Sequence, residues 1–245
     1  MLWKDKYYLI VGASSGIGQE VAEYLDSLGA NIVMVARNAE KMELIKRGMK
    51  NTTKIIQCDV SNVEDIPKIF DDLRQDGIKL DGLVYSAGIV QPEPIKAASA
   101  EEFQNIMQVN TIAFFEFGKL FSLKKNSNDN ASIVTLSSIA SLHCCSGQGT
   151  YAASKSAVNA LVKVMSQEFL RRHIRVNAIL PALVDTKMGR DWNHVINNDE
   201  SEETSVQPFG GIPARQIAYL CEFLLSDKSN YITGTLIPVG AGTIV

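Results

Sequence analysis

The sequence predicts a doubly wound α/β fold: a single domain, residues 1–245, whose one parallel sheet of Rossmann type is covered by helices on both faces. Three observations predict it. Short apolar runs alternate with amphipathic segments, which is the pattern of βαβ units. The first run leads directly into a glycine-rich turn, VGASSGIG. The length of 245 residues, with 46% hydrophobic residues, suffices for one large core.

The predicted strands are, in chain order, YYLIVG, NIVMVA, KIIQCD, DGLVYSAG, SIVTLSS, IRVNAIL and TLIPVG. Because these runs are apolar on both faces, we expect a parallel sheet that is buried on both sides. Such sheets bind ligands at the carboxyl ends of the strands, where the winding reverses. Residues 189–211, rich in Asn, Asp, Glu and Ser, are the only long irregular stretch that the sequence predicts.

Capping residues indicate where several of the helices begin and end. Ser61 with Glu64, and Ser99 with Glu102, fit the capping box, in which side-chain and backbone groups bond reciprocally at a helix start. Gly29 follows a helical pattern and predicts the end of that helix. Helices therefore separate the strands, as a parallel sheet requires.

Charge and composition argue against several classes of function. The formal net charge is -3, so no broad basic field would attract nucleic acid. No apolar run approaches the roughly 20 residues that span a bilayer, and no cleavage site precedes the first strand, so we expect a cytoplasmic protein without a membrane partner. The cysteines lack the spacing of a zinc site, and no metal is expected; they are Cys58, Cys144, Cys145 and Cys221.

The turn VGASSGIG predicts a phosphate site. Gly12, Gly16 and Gly18 permit positive φ and a close backbone approach, and the helix that follows offers its first N–H groups to a pyrophosphate. The spacing G-x-x-x-G-x-G differs from the common dinucleotide motif G-x-G-x-x-G. A tight strand-to-helix turn without any ligand would also explain these glycines.

The end of the second strand predicts which nicotinamide cofactor is preferred. An acidic residue there would bind the ribose 2′-hydroxyl of NAD and repel a 2′-phosphate, but the chain has Ala36 and Arg37. The guanidinium of Arg37 suits a phosphate, which favours NADP(H), although an exposed arginine at the start of a loop is common. Asp59 could accept from the adenine amino group while Val60 packs on the ring, or Asp59 could be a simple turn residue.

Tyr151 and Lys155, in the segment TYAASKSAVNAL, are spaced to lie one helical turn apart on the same face. Taken alone, the pair is a weak signal, because a solvated helix face often carries such residues.

Taken together, the motifs resemble the short-chain dehydrogenase/reductase family over residues 11–242. VGASSGIG resembles the cofactor turn of that family, CDV its adenine contact and YSAG its motif after the fourth strand. VNTIAFF resembles the helix that carries a catalytic asparagine, and LSSIAS followed by YAASK resembles the serine, tyrosine and lysine. VNAILPALVDTKM and YITGTLIPVGAG resemble the segment that closes over nicotinamide and the last strand.

The resemblance implies a set of site residues. The implied catalytic residues are Asn110, Ser138, Tyr151 and Lys155. The implied cofactor-binding residues are Gly12, Ser14, Ser15, Gly16, Ile17, Gly18, Arg37, Asp59, Val60, Ala87, Gly88, Tyr151, Lys155, Pro181, Val184 and Thr186. In this scheme a carbonyl that accepts hydride takes a proton from Tyr151. The Lys155 ammonium is expected to lower the pKa of Tyr151, because a neighbouring positive charge favours tyrosinate. Ser138 is expected to orient the substrate oxygen, and Asn110 to hold a water that passes protons from Lys155 to solvent.

Three segments depart from the family pattern. The usual Asn-Asn-Ala-Gly is YSAG at residues 85–88, so the bonds that brace the sheet there must differ. The usual Pro-Gly is Pro181-Ala182, and the usual Asp-Gly-Gly near the end is GAG at residues 240–242, which removes a carboxylate. His143 lies in the expected substrate loop, and we expect it to have no catalytic role.

The resemblance implies an NADP(H)-dependent oxidoreductase that transfers hydride between nicotinamide and a carbonyl or secondary alcohol. The pattern is similar to 3-oxoacyl-acyl-carrier-protein reductases, so a 3-oxoacyl thioester ranks first, narrowly above a small ketone, a steroid-like alcohol or a sugar. A non-catalytic NADP(H)-binding redox sensor is the alternative, and a nucleotide-sugar epimerase would need a larger substrate domain.

Family relatives often form tetramers, and we expect a homo-oligomer. Four basic residues at helix ends suit an acidic carrier protein or the helix dipole; they are Lys124, Lys125, Arg171 and Arg172.

Overall fold

The computed structural model describes residues 3–196 and 207–243, with side chains described for all of these except 193–196. Within these ranges, seven parallel strands form one sheet in the order β3-β2-β1-β4-β5-β6-β7. The strands are β1 (Tyr7–Val11), β2 (Asn31–Ala36), β3 (Thr53–Gln57), β4 (Leu80–Tyr85), β5 (Ser127–Leu136), β6 (Arg175–Pro181) and β7 (Leu236–Val239). All seven predicted strands are therefore present, and the predicted doubly wound fold is confirmed.

Helices cover both faces of this sheet. They are α1 (Gly16–Ser27), α2 (Ala39–Lys46), α3 (Ile66–Gln75), α4 (Ala100–Met107), α5 (Ala113–Phe121), α6 (Gly149–Glu168), α7 (Lys187–Ile196) and α8 (Ala214–Leu225). One core contains Leu9 and Val11 with side chains of α3, α5 and α6. The other contains Tyr8 and Ile10 with side chains of α1, α2 and α8. Alternate residues of β1 thus face opposite layers, which explains why the run is apolar throughout.

The winding of the sheet reverses beside β1. The chain runs outward from β1 through β2 to β3 and then returns to β4 on the other side of β1. At the carboxyl ends of these two central strands, Val11 pairs with Tyr85. A crevice at this point is where sheets of this winding bind ligands.

The helix-start predictions have different outcomes. At α4, Glu102 N–H donates to the Ser99 hydroxyl (3.1 Å) and Ser99 N–H donates to the Glu102 carboxylate (2.9 Å), so this capping box is confirmed. The capping box at Ser61 and Glu64 is wrong. The N–H and hydroxyl of Ser61 both donate to the Asp59 carboxylate, at 3.0 and 2.8 Å. Because Ser61 bonds the charged Asp59 carboxylate two residues earlier, it does not cap a helix.

The predictions for the end of α1 and for the irregular stretch at residues 189–211 also have different outcomes. Gly29 has φ of 101°, and α1 ends just before it at Ser27, as predicted. The prediction that residues 189–211 are irregular is wrong for their first part, because α7 extends to Ile196. Met188, Trp192 and Val195 recur at helical spacing among the polar residues and were not recognised as a helical pattern. Residues 197–206 of the stretch lie outside the described residues.

Two features are absent from the described part of the chain. Over residues 3–196 and 207–243, none of the helices has the length and apolar character needed to cross a bilayer. Over the same ranges, no three His, Cys, Asp or Glu side chains cluster closely enough to hold a metal ion.

Candidate active site

Tyr151 and Lys155 lie at the start of α6, on one face, as their spacing predicts. Tyr151 is half-buried, whereas Lys155 is only 4% exposed. The Lys155 Nζ lies 5.7 Å from the centre of the Tyr151 ring. The same Nζ donates to the carbonyl of Leu136 at 2.8 Å, where β5 ends. The lysine therefore ties the first turns of α6 to the carboxyl edge of the sheet.

Ser138 follows β5 and points toward the same place. Its side chain accepts from Ala140 N–H at 3.1 Å, which starts a short 3₁₀ turn, Ile139–Ser141. The Ser138 hydroxyl also hydrogen-bonds the Tyr151 phenol. The structure thus brings Ser138, Tyr151 and Lys155 together, although they belong to two different elements.

Three further polar side chains hold the 3₁₀ turn against α6. Ser137 donates to the Lys155 carbonyl at 3.2 Å, and Asn159 donates to the Ser141 hydroxyl at 2.7 Å. Ser141 in turn donates to the Ser138 carbonyl at 2.6 Å. The sequence reading missed these supports, and their only signal is the number of hydroxyl and amide groups in an otherwise apolar region.

The pKa values in this cluster differ from the sequence expectation. Desolvation raises the pKa of Tyr151, and the hydrogen bond with Ser138 lowers it by less. Burial lowers the pKa of Lys155 from 10.5 to about 8. The predicted lowering of the Tyr151 pKa by Lys155 is therefore wrong for the groups of this chain alone. Burial disfavours the charged forms of both side chains, and the Lys155 Nζ faces the Leu136 carbonyl.

Asn110 lies in a π-helical turn, Gln108–Ile112, which joins α4 to α5 and was not predicted. The side chain is fully buried. Its Oδ1 accepts from Ile89 N–H (2.8 Å), and its Nδ2 donates to the Ile89 carbonyl (2.9 Å) and to the Ser154 hydroxyl (3.0 Å). One lone pair of Oδ1 remains for a further donor. Single π turns inside helices are frequent at functional sites.

Gly88 separates Asn110 from Lys155. A Cβ added at Gly88 would lie 3.4 Å from the Asn110 Oδ1 and 3.5 Å from the Lys155 Nζ. The amide and the ammonium therefore flank the same small space at the end of β4. Ser154 joins α6 to the π turn, because its hydroxyl accepts from Asn110 and its carbonyl accepts from the Thr111 hydroxyl at 2.9 Å.

The departure at residues 85–88 has a structural explanation. The Tyr85 phenol donates to the Val109 carbonyl in the π turn at 2.5 Å. The Ser86 hydroxyl donates to the Val11 carbonyl at 2.8 Å. Two hydroxyl donors thus brace β4 against the π turn and β1.

The glycine turn packs so closely against the neighbouring backbone that no side chain fits at Gly12 or Gly18. Gly12 has φ of 87°, and a Cβ there would lie 2.7 Å from the Ala87 nitrogen. A Cβ on Gly18 would lie 2.3 Å from the Gly12 carbonyl oxygen. Helix α1 begins at Gly16 (φ 57°), and the Ser15 side chain makes no capping bond to it. Because no side chain caps this 12-residue helix, its first backbone N–H groups are available to bind a pyrophosphate.

Other predicted cofactor positions lie in this turn, after β4 or after β6. Ser14 and Ile17 are half-buried within it, and Ala87 and Gly88 follow β4. Pro181 ends β6, and Val184 forms a parallel bridge with Ile212.

Arg37 and Asp59 border a cleft of about 620 Å³ at the carboxyl ends of β2 and β3. Arg37 is exposed, and Val60, which is buried, follows Asp59. Burial would raise the pKa of Asp59, but hydrogen bonds from Ser61 and the Arg37 charge lower it overall. The sequence reading missed three charged residues that line the same cleft, namely Asp65, Lys68 and Asp72. The cleft therefore carries both signs of charge.

The four basic residues suggested for a carrier protein lie elsewhere. All four lie at the amino edge of the sheet, because Lys124 and Lys125 precede β5 while Arg171 and Arg172 precede β6. Tyr151 lies at the opposite, carboxyl edge of the sheet. Arg172 is used internally, because it pairs with Asp129 at 2.9 Å and donates to the Ser122 and Ser127 carbonyls.

The fold and the position of this crevice define the chain as a protein of the Rossmann type. The sequence profile of a family described as Enoyl-(Acyl carrier protein) reductase matches residues 12–243. A protein named 3-oxoacyl-acyl-carrier-protein reductase FabG from Rickettsia felis is 32% identical over 98% of this chain and 97% of its own length. The Escherichia coli protein of that name is 28% identical over 99% and 98%.

Solved structures agree with these matches. A short-chain dehydrogenase/reductase from Brucella melitensis, described as glucose/ribitol dehydrogenase, has a TM-score of 0.91 and 25% identity and covers 100% of this chain and 98% of its own. Levodione reductase has a TM-score of 0.88 and 25% identity over 98% of both chains. The chain belongs to the short-chain dehydrogenase/reductase family.

The lowered pKa of Lys155 predicts how folding stability depends on pH. Below pH 8 the folded protein must bury a charged ammonium; between about pH 8 and 10.5 the unfolded state binds more protons, so this penalty disappears as the pH rises. The free energy of unfolding of the wild type, relative to Lys155→Met, should therefore increase by about 2 kcal/mol between pH 7 and 9.5, of about 3 kcal/mol over the whole window. Urea unfolding of both proteins at pH 7, 8, 9 and 9.5 measures the difference. A constant difference would show that Lys155 titrates normally.

Proposed function

We propose that this protein is an NADP(H)-dependent ketoreductase, in which residues 1–245 act as one cofactor-binding and catalytic unit. The observation that carries the proposal is the cluster of Ser138, Tyr151 and Lys155 at the carboxyl edge of the sheet, beside a glycine turn that fits a pyrophosphate. When bound, the nicotinamide would supply or accept the hydride. The residues of the chain would orient the carbonyl and move the proton.

Each residue of the cluster has a role that its contacts support. The Ser138 hydroxyl would donate to the substrate oxygen, and Tyr151, which bonds Ser138, would deliver the proton to that oxygen. Lys155 would hold the nicotinamide ribose and replace the proton lost by Tyr151, and its pKa of about 8 suits exchange near neutral pH. Asn110 would hold a water through its remaining lone pair and connect Lys155 to solvent.

For the substrate, we propose a 3-oxoacyl thioester as the first class to test. The curated relatives are named as reductases of such groups on an acyl carrier protein. One structural relative is named levodione reductase, so small ketones are a second substrate class to test. NADPH oxidation against 3-oxoacyl thioesters, diketones, quinones and keto sugars would separate these classes. A non-catalytic redox sensor would bind the cofactor and turn over none of them, but it would not need the Tyr151 hydroxyl. The cytoplasmic location stays a prediction.

Replacement of Tyr151 by Phe should leave NADPH affinity unchanged and lower turnover by about 10² to 10⁴, because general acid catalysis contributes that much. Steady-state kinetics with the best substrate and a fluorescence titration with NADPH measure the two effects. Tyr231→Phe is the control, because Tyr231 is fully exposed and should have normal activity. Near-normal turnover of Tyr151→Phe would refute the proposed mechanism, and a wild type that binds NADPH without any turnover would favour the sensor.

Arg37 should determine the preference for NADPH. A hydrogen bond to a charged group contributes roughly 1.5 to 3 kcal/mol, or about 10- to 150-fold in affinity. Arg37→Ala should therefore raise the KM for NADPH by that factor, and Ala36→Asp should shift preference toward NADH by repelling the 2′-phosphate. Arg47→Ala, which removes an exposed arginine at the end of α2, should not change the ratio. The measurement is kcat/KM for both cofactors at constant salt. An unchanged ratio in Arg37→Ala would assign NADP(H) preference to other residues.

We also propose a homo-oligomer, with a tetramer favoured, formed through the region of α5 and α6. Large apolar side chains are exposed there: Ile112 (40%), Phe115 (42%), Val164 (53%) and Leu170 (50%). Val164→Asp should dissociate the assembly, because burying an unpaired carboxylate is unfavourable. Leu44→Asp on α2 is the control. Light scattering measures the mass, and a 26.8 kDa wild-type particle at micromolar concentration would contradict the proposal.

A further inference from the structure

Gln207 is a buried glutamine, only 3% exposed, that the sequence did not single out. Its side-chain amide makes three hydrogen bonds to the backbone. The Oε1 accepts from Leu183 N–H, and the Nε2 donates to the carbonyls of Leu183 (3.1 Å) and Gly210 (2.8 Å). The amide therefore bonds both backbone groups of Leu183, as a neighbouring strand would.

Leu183 lies in the segment between β6 and α7, residues 182–186, and Ile212 also holds this segment. Ile212 N–H donates to the Leu183 carbonyl at 3.0 Å, and Asp185 N–H donates to the Ile212 carbonyl at 2.9 Å. Packing beside this bridge is tight, since a Cβ on Gly211 would lie 2.1 Å from the Asp185 carboxylate. Gln207 and Ile212 together hold the backbone of the segment at Leu183 and Asp185.

The segment ends against the glycine turn. Thr186 N–H donates to the Val184 carbonyl at 2.7 Å, which folds the backbone back sharply. The Thr186 methyl lies 3.2 Å from where a Cβ of Gly16 would be, so it faces the first residue of α1. A displacement of Leu183 would therefore be transmitted over three residues to the start of the helix that fits the pyrophosphate.

We propose that Gln207 is a positioning residue for the bound cofactor: by clamping Leu183, it holds Val184 and Thr186 over the amino end of α1, where the pyrophosphate and nicotinamide halves would meet. This proposal rests on the proposed NADP(H) binding. Gln207 acts through the backbone of Leu183 and is not itself a catalytic residue.

Gln207→Met tests the clamp, because Met has a similar length and no hydrogen-bonding amide. Removing the bonds leaves Leu183 N–H without its side-chain acceptor, and the Kd for NADP⁺, measured by calorimetry, should rise about 10-fold. NADP⁺ should also no longer protect the segment from limited proteolysis. Gln216→Met, an exposed position on α8, is the matched control and should bind like the wild type.

Gln207→Glu provides a readout that general destabilisation would not change. A neutral carboxyl can accept from Leu183 N–H and donate one bond, whereas a carboxylate would face two carbonyl oxygens, and burial favours the neutral form. The ratio of the mutant Kd to the wild-type Kd for NADP⁺ should be near 1 at pH 5.5 and rise about 10-fold by pH 8. A ratio that does not change with pH would overturn the clamp, even if Gln207→Met fails to fold.

The outcomes separate the two proposals. If the wild type binds NADP⁺ and Gln207→Met binds within twofold of it, the role of Gln207 is refuted while the proposed cofactor stands. If the wild type binds neither NADP⁺ nor NAD⁺, the proposed function fails and the positioning role fails with it.

Discussion

The close approach of the β1–α1 turn to the end of β4 is the constraint on which the rest of the site depends. Gly12 lies so near Ala87, and Gly18 so near Gly12, that even a methyl group would overlap the backbone. Because no side chain separates these segments, α1 begins directly above the central pair of strands. The position of its first turn then sets where a phosphate can bind and where Thr186 must lie.

A second constraint joins the catalytic candidates to the helices. The π turn directs Asn110 inward, and Ser154 of α6 accepts hydrogen bonds from Asn110 and Thr111 of that turn. Lys155 connects α6 to β5 in the same way, through the Leu136 carbonyl. The three elements are therefore held by buried polar groups, each with a partner. Such satisfied networks fix side-chain geometry more closely than apolar packing alone.

The sequence was sufficient for the strands, for their parallel arrangement and for the proximity of Tyr151 to Lys155, since each follows from a local period. It was insufficient where two groups compete for the same hydrogen bond, or where residues far apart in the sequence come into contact. Ser61 matched a cap motif, but Asp59 bonds it instead. The π turn has no periodic signature, and Gln207 gains its role only because Leu183 is brought beside it. The pKa of Tyr151 was misjudged because burial cannot be read from the motif.

The order of the strands also affects how the site is made during synthesis. The turn at Gly12 and Gly16 belongs to the first βαβ unit, whereas the end of β4 that packs against it, Tyr151 with Lys155, and finally Gln207 come from later in the chain. Contacts of such large sequence separation form slowly, because long loops must close first. A nascent chain would thus leave one edge of β4 unpaired until β5 is made, and the two faces of the sheet incompletely covered until α6 and α8 follow. Aggregation competes with folding during this interval.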